Sequence, residues 1–385
     1  MFAPHRALWT RTRSATRLLS KGTSLASQGS RFLSTGETII SGIQPTGIPH
    51  LGNYLGALKS WVDLQASPAS RIYTVVDLHA LTIPRPAEQL RKDIRDMARA
   101  ILACGVDPER STLFVQSAVP QHTELTWILS CQTSVHWLNR MTQWKSKMQV
   151  TTSGSTEGKG HSSISNSNLP PSTTTLRLGL YSYPVLQAAD ILLYQASIVP
   201  VGEDQRQHLE LTRDIAESFN NLHEKPIFRL PEVLISDSKR VMSLRDPGKK
   251  MSKSDKNAGA SILLTDDETT ISRKIRRAMT DSIQGITFDP MGRPGIANLL
   301  QILAGVTGST VEEVVRECAS LTTGEFKTRV SDATIACLRP IRLEYERMER
   351  EGDIWLDQVL KSGADKAGCQ AQQTLRKVKD AIGLY

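Results

Sequence analysis

Cysteine is scarce in this chain, and its placement excludes more than its number does. Five cysteines occur in 385 residues, at positions 104, 131, 318, 337 and 369. They are scattered, odd in number and never in a Cys-x-x-Cys spacing, so neither a disulfide framework nor a zinc site fits them. Most are expected to be small buried apolar residues. Long apolar runs are also missing. None approaches the ~20 residues that a membrane-spanning helix needs, so no membrane association is expected. A third absence is local: residues 1–35 contain no Asp or Glu, yet they hold Arg6, Arg11, Arg13, Arg17, Lys21 and Arg31. The chain carries a net charge of +8, but without those six cations the remainder has 41 Lys and Arg against 39 acids. The body is nearly neutral, so any contact with nucleic acid has to come from local patches rather than bulk charge.

The acid-free segment is rich in Arg, Ser and Thr, with Phe2, Leu8, Trp9, Leu18 and Leu19 among its cations. That is the composition of a mitochondrial transit peptide able to form a basic amphipathic helix. A secretory signal needs a continuous apolar stretch, which is absent; a disordered basic tail is the plainer reading of the same charges. Cleavage around residues 31–35 leaves a strand-like run, Thr38-Ile39-Ile40-Ser41-Gly42-Ile43, just inside the mature chain. The mitochondrial matrix is the expected location.

The remaining length, with 39% hydrophobic residues overall, allows two domains and ample core. Residues 71–78 and 112–117 read as buried strands. Between them Leu90, Ile94, Met97, Ala98, Ile101 and Leu102 recur at helical spacing, which predicts an amphipathic helix over 87–104. A further strand at 197–201 leads into a helix from Gln205 to about Phe219. Strand, crossover helix and strand in repetition imply a parallel sheet covered on both faces, a Rossmann-like α/β catalytic domain over 36–258. Residues 151–175 interrupt it with Ser, Thr, Gly and Pro and almost no large apolar side chain. Such a segment cannot offset its ordering entropy and reads as a disordered insertion. From about residue 267 strands vanish, and helical runs follow at 267–280, 296–305, 309–319, 325–349 and 352–382. An all-α C-terminal domain over 259–385 is expected.

Two segments carry chemistry. Lys250-Met251-Ser252-Lys253-Ser254, preceded by Lys249, is a loop of cations and hydroxyls. Pro45-Thr46-Gly47-Ile48-Pro49-His50-Leu51-Gly52-Asn53 is a turn running into a helix N-terminus. Both are devices for holding a polyphosphate: ammonium groups neutralise it, and helix-terminal N–H groups point at it. A solvated Lys/Ser loop and an ordinary helix cap form the plainer alternative. Gly52 and Gly56 share a helix face and, lacking side chains, admit a flat base; Gly52 could instead serve helix packing. His50 and Asn53 can donate to phosphate oxygens.

The two segments resemble the His-x-Gly-x and Lys-Met-Ser-Lys-Ser signatures of class I aminoacyl-tRNA synthetases. The likeness extends through residues 41–47, 51–58, Ala188-Ala189-Asp190-Ile191-Leu192-Leu193-Tyr194, Val201-Gly202-Glu203-Asp204-Gln205, 210–214 and 294–300. Over roughly 38–385, apart from the insertion, the chain closely resembles tryptophanyl-tRNA synthetases of bacterial and organellar type. The resemblance implies ATP contacts at Gln44, Pro45, Thr46, Gly52 and Asn53, at Gly202, Glu203 and Asp204 near the ribose, and at Val241 near adenine. It implies phosphate contacts at Lys250, Met251, Ser252, Lys253 and Ser254, with Lys147 as a third phosphate lysine. His50, Asn53, Lys147, Lys250 and Lys253 are the implied catalytic set.

Tyr183, Gln187 and Asp190 stand at i, i+4 and i+7, so one helix face presents a phenol, an amide and a carboxylate. Indole has a single ring N–H donor, and an acceptor-only carboxylate suits it. Resemblance assigns that contact to Asp190, assigns the substrate ammonium to Tyr183 and Gln205, and lines the pocket with Gln187 and His79. A lone histidine at position 79 could equally be a satisfied core residue. Gln187 stands where many bacterial members have Met, and a Gln three residues before the Asp also occurs in tyrosyl-tRNA synthetases; the Gly202–Gln205 context argues for tryptophan. The implied reaction joins L-tryptophan and Mg-ATP into tryptophanyl adenylate and then charges tRNA-Trp. ATP and Mg²⁺ are therefore the expected cofactors, with no metal held by a protein ligand set, and a homodimer is the implied assembly. Arg273-Lys274-Ile275-Arg276-Arg277 and the C-terminal helices are the expected tRNA surface. The competing readings are a tyrosine-specific enzyme of the same fold and a non-catalytic RNA-binding relative. His50, Asn53, Lys250 and Lys253 count against the latter.

Overall fold

The computed structural model describes residues 34–141, 177–202, 205–235, 240–253, 255 and 257–385. Five strands, β1 (Thr38–Ile43), β2 (Ser70–Val75), β3 (Thr112–Val115), β4 (Ile198–Val201) and β5 (Glu232–Ile235), form one parallel sheet in the order β3-β2-β1-β4-β5. The order reverses between β1 and β4, the place where sheets of this kind open a crevice beyond their carboxyl ends. The Rossmann-like parallel sheet expected from the alternating pattern is present. The run expected as a strand to residue 78 stops at Val75. Asp77 is the cause: its carboxylate accepts from the backbone N–H of Leu78 and Ser117, both at 3.0 Å, and opens the short helix α2 (Asp77–Ala80). Strand β5 was not legible, being four residues long and lying at the sheet edge.

The helix that follows β1, α1 (51–63), contains a π-helical turn at Tyr54–Leu58. Helix α3 (Ala87–Ala103) matches the amphipathic pattern, burying Met97, Ala98, Ile101 and Leu102. Next come α4 (Gln121–Ser130), α5 (Val135–Asn139), α6 (Leu178–Leu192) and α7 (Arg206–Leu222). The C-terminal stretch is α8 (Glu268–Arg276), α9 (Pro294–Thr307), α10 (Val311–Cys318), α11 (Thr323–Glu351) and α12 (Ile354–Ile382), all helical as expected. These helices do not stand apart. Leu51, Trp61, Met97 and Ile101 pack in one apolar cluster with Ile296, Leu300, Phe326 and Val330. On the other face, Phe114, Leu125, Val185 and Phe219 share a second cluster with Leu375 and Val378 of α12.

The cysteine expectation needs correction. Only Cys318 is buried; Cys104 and Cys337 are half-buried, and Cys131 and Cys369 are exposed. Cys369 lies on α12 between the buried Ala367 and Ala371, on the outward side. Among the described residues no helix is long and apolar enough to cross a membrane. The expected presequence lies almost wholly outside the described residues, and the expected insertion at 151–175 lies entirely outside them.

Helix α12 covers the open edge of the sheet along β3, a standard protection for unpaired strand groups. Its approach is set by Gly363, where a Cβ would lie 1.8 Å from the carbonyl oxygen of Leu113. Alanine ordinarily gains ~1 kcal/mol over glycine in a helix interior. Here the clash meets rigid backbone and outweighs it, so Gly363→Ala is expected to destabilise the chain by about 2–3 kcal/mol. A lowered urea midpoint checks this; a raised midpoint would show that α12 can move away freely.

Candidate active site

A cavity of about 750 Å³ opens over the carboxyl ends of β1, β2 and β4, at the reversal in strand order. Its lining joins Gln44, Asn53, Gly56 and Lys250 to His79, Tyr183, Gln187, Asp190, Gly202 and Gln205. All five residues expected for the amino acid line this space, and of those expected for the nucleotide Gln44, Asn53, Gly202 and Lys250 do, whereas Pro45, Thr46, His50, Gly52, Val241, Met251, Ser252 and Lys253 are not part of its lining. Lys147, Glu203, Asp204 and Ser254 lie outside the described residues.

At one end the turn after β1 is held by backbone geometry. Gly47 has φ +81°, a conformation that favours glycine. Arg85 donates to the Pro45 carbonyl at 2.9 Å and Lys253 to that of Thr46 at 2.8 Å. His50 then caps α1: its Nδ1 accepts from the Asn53 backbone N–H at 3.2 Å, and the His50 N–H donates to Asn53 Oδ1 at 3.1 Å. This reciprocal cap satisfies helix-end donors and also orients both side chains. With Nδ1 an acceptor, the neutral ring carries its proton on Nε2; with Oδ1 occupied, Asn53 offers its amide protons. Burial, with Lys253 and Lys250 nearby, lowers the His50 pKa to about 4, so the ring is a neutral donor at physiological pH. Gly52 serves this cap. A Cβ there would stand 3.0 Å from the His50 ring and 3.5 Å from Val241 Cβ, so the missing side chain makes room for the histidine. The π-helical turn then brings Asn53, Gly56, Ala57 and Ser60 to the cavity wall.

The cationic loop is built as a hairpin. Met251 N–H donates to the Val241 carbonyl at 3.0 Å, and Ser243 N–H to that of Lys249 at 2.8 Å. Val241 and Met251 are both buried in the core, so their side chains anchor the loop while Lys250 is exposed along the cavity. Asn298 of α9, which sequence reasoning did not single out, clamps the same hairpin. It accepts from the Met242 N–H and donates to the Met242 carbonyl, both at 2.9 Å. Lys253 is held low, at about 8, by burial, against the opposing pull of Asp93 and Asp96.

The other end centres on Asp190, whose carboxylate is buried and fully engaged. Oδ1 accepts from His122 Nδ1 at 2.6 Å and Gln116 Nε2 at 2.7 Å, and Oδ2 pairs with His79 Nε2 at 2.9 Å. Burial alone would raise its pKa, but hydrogen bonds from His122 and His79 hold it down at about 2. The carboxylate is ionised at neutral pH and keeps acceptor capacity on Oδ2 beside the cavity. His79 answers to both readings, lining the cavity while being satisfied by Asp190. Tyr183 hydrogen-bonds His208 Nε2 at 2.8 Å. Gln116, His122 and Tyr194, the last bonded to His122 Nε2 at 2.8 Å, form the wall behind Asp190. Sequence offered a signal for Tyr194 alone, which stands four residues after Asp190, just past the end of α6. Of the basic patch, Arg273, Arg276 and Arg277 are exposed, whereas Lys274 is paired with Asp266 at 2.5 Å and half-buried.

Residues 36–339 match the family described as tRNA synthetases class I (W and Y). The mitochondrial tryptophan–tRNA ligase of Schizosaccharomyces pombe is 46% identical over 352 residues, 90% of this chain and 95% of that protein. Among solved structures, the tryptophanyl-tRNA synthetase of Mycoplasma pneumoniae superposes with a TM-score of 0.78 at 34% identity, covering 91% of this chain and 98% of that one. The Campylobacter jejuni tryptophanyl-tRNA synthetase complexed with ADP and tryptophan gives 0.70 at 32% identity over 90% of this chain and all of its own.

Proposed function

The chain belongs to the class I tRNA synthetase family of tryptophanyl and tyrosyl enzymes, and from that premise we propose that it activates L-tryptophan with ATP and transfers it to tRNA-Trp in mitochondria. The carrying observation is the single cavity with an ionised, buried Asp190 at one end and the donors of Asn53 and Lys250 at the other. An amino acid with a ring N–H fits the first end and a polyphosphate the second. In this reading the tryptophan carboxylate attacks the α-phosphorus in line and pyrophosphate leaves; the terminal ribose of the tRNA then takes the acyl group. No protein nucleophile takes part. Catalysis is positioning plus stabilisation of charge on the transferring phosphate by His50 Nε2–H, the Asn53 amide, Lys250 and Lys253. Among the described residues no three His, Cys, Asp or Glu side chains gather to hold a metal ion. In this reading magnesium enters as part of the Mg-ATP substrate, held chiefly by phosphate oxygens.

Tyrosine specificity is the competing reading that Gln187 keeps open, and one assay separates the two. In ATP–pyrophosphate exchange with each of the twenty amino acids, tryptophan alone is expected to support exchange. Exchange with tyrosine, or none at all, would overturn the assignment.

The same reading extends to assembly and place. Leu81, Ile83, Val135 and Leu178 are exposed, and their segments reach the start of α6, Thr82 beside Gly179 and the Val135 carbonyl bonded to the Tyr181 hydroxyl, so this region offers apolar side chains to a second copy of the chain. The exposed arginines of α8 and the helices of 259–385 supply a surface for tRNA. Work in the matrix is supported by the acid-free composition of residues 1–35 and by the mitochondrial relative. Fusing residues 1–40 to a fluorescent reporter is expected to send it to mitochondria; a reporter that stays cytosolic removes this part of the reading.

A further inference from the structure

The buried wall behind Asp190 has a direction built into it. His122 is fully buried, with Nδ1 2.6 Å from Asp190 Oδ1 and Nε2 2.8 Å from the Tyr194 hydroxyl. Asp190 is an acceptor-only group, so the Nδ1 proton must be on His122. Nε2 is engaged by the Tyr194 hydroxyl at 2.8 Å, so both ring nitrogens are held. Tyr194 stays protonated because burial, with the Asp190 charge beside it, raises its pKa. On the same oxygen, Gln116 donates through Nε2 while its Oε1 accepts from the Leu78 N–H at 3.1 Å, which fixes the orientation of that amide. Two locked donors thus hold Oδ1, and the carboxylate cannot rotate to exchange its oxygens. Oδ2, with His79 on one side, is the atom left to meet a ligand at the cavity wall.

We propose that His122, locked by Tyr194, is a positioning residue for amino-acid selection: it turns Asp190 so that Oδ2 accepts one ring N–H at one place in the cavity. The proposal rests on the reading that this end of the cavity receives the indole. A histidine that merely filled space would support every substrate alike. A histidine that aims the carboxylate matters most for a substrate bearing the donor.

The test compares L-tryptophan with 3-(3-benzothienyl)-L-alanine, which keeps the bicyclic shape and replaces the ring N–H by sulfur, in pyrophosphate exchange with the full mature chain. His122→Leu removes the donor to Oδ1. It is expected to lower kcat/KM for tryptophan by roughly 10-fold or more and to leave the analogue within about threefold. His122→Asn, whose amide can reach the place of Nδ1, is expected to recover most of the preference. Tyr194→Phe should narrow it in the same direction by about threefold, and it stands in if His122→Leu does not fold. Equal losses for both substrates, or no recovery in His122→Asn, overturn the proposal. Asp190→Ala measured in parallel separates the two levels. If it collapses the preference while the His122 and Tyr194 variants keep it, only the positioning role fails. If it too keeps the preference, the indole reading fails and takes this proposal with it.

Discussion

Replacing Lys253 by alanine is expected to cut the rate of tryptophan activation by about 10²–10³ while leaving tryptophan affinity nearly unchanged. The geometry supplies the reason. Lys253 reaches from the cationic loop to the turn that precedes the capped helix, donating to the Thr46 carbonyl at 2.8 Å, and it is no part of the wall around Asp190. That carbonyl is a poor partner for a full charge compared with a departing pyrophosphate, so the lysine interacts most strongly as negative charge develops there. Burial has already lowered its pKa to about 8. The sign of the pH dependence follows: below pH 8 the ammonium is charged and available, and above it the free enzyme loses the charge. Because kcat/KM reports the free enzyme, kcat/KM for ATP should fall as pH rises through about 8. In Lys253→Arg, whose guanidinium does not deprotonate, that limb should vanish. His50 adds no limb above about pH 5, since its pKa is near 4 and the neutral form is the donor. Steady-state exchange at varied pH measures all three enzymes. An Ala variant that binds tryptophan as poorly as it binds ATP would instead mark Lys253 as a structural tie between the loop and the turn.

What could be read in advance was whatever repeats or sits close in sequence. The helix α3 was legible because apolar residues recur every three to four positions over a long window, and the helices from α8 to α12 for the same reason. The pair of phosphate-holding segments was legible because each is contiguous: a cap must lie beside its helix, and a hairpin loop beside its strands. The face of α6 was legible because Tyr183, Gln187 and Asp190 are separated by whole turns. What stayed hidden depends on long-range closure. Gln116 and His122 meet Asp190 across 74 and 68 residues, and no local pattern encodes that meeting. Asn298 meets Met242 across 56 residues, linking the helical stretch to the signature hairpin. Gly52 was legible as a glycine with a purpose, but that it also clears the folded-back His50 ring was not. The domain boundary drawn near residue 258 marks where strands give way to helices along the chain, while packing ignores that change: Phe326 and Ile101 lie in one core.

Asp190 carries the second large effect. A pocket that takes tryptophan and rejects phenylalanine needs more than size, since apolar fit discriminates by only ~1–3 kcal/mol. A carboxylate buried beside the cavity supplies the rest. Phenylalanine brings no ring donor, and tyrosine places its hydroxyl elsewhere, so either leaves the charge on Oδ2 incompletely paired in a desolvated site. Asp190→Ala is therefore expected to lower kcat/KM for tryptophan by at least ~10² in pyrophosphate exchange, and to narrow the tryptophan-to-phenylalanine ratio at the same time. The substitution also strips three donors, from His79, Gln116 and His122, of their common acceptor. Losing one side of such a buried cluster costs roughly 3–5 kcal/mol of stability, so the rate must be read at a temperature where the variant is still folded. The two effects separate cleanly, because instability lowers both substrates in proportion to the folded fraction and leaves their ratio untouched. A narrowed ratio thus reports recognition alone. If the ratio stays at its wild-type value while stability falls, Asp190 holds α6 against α4 and the turn after β3, and the selecting contact moves to Gln187 or His79, which share the same wall.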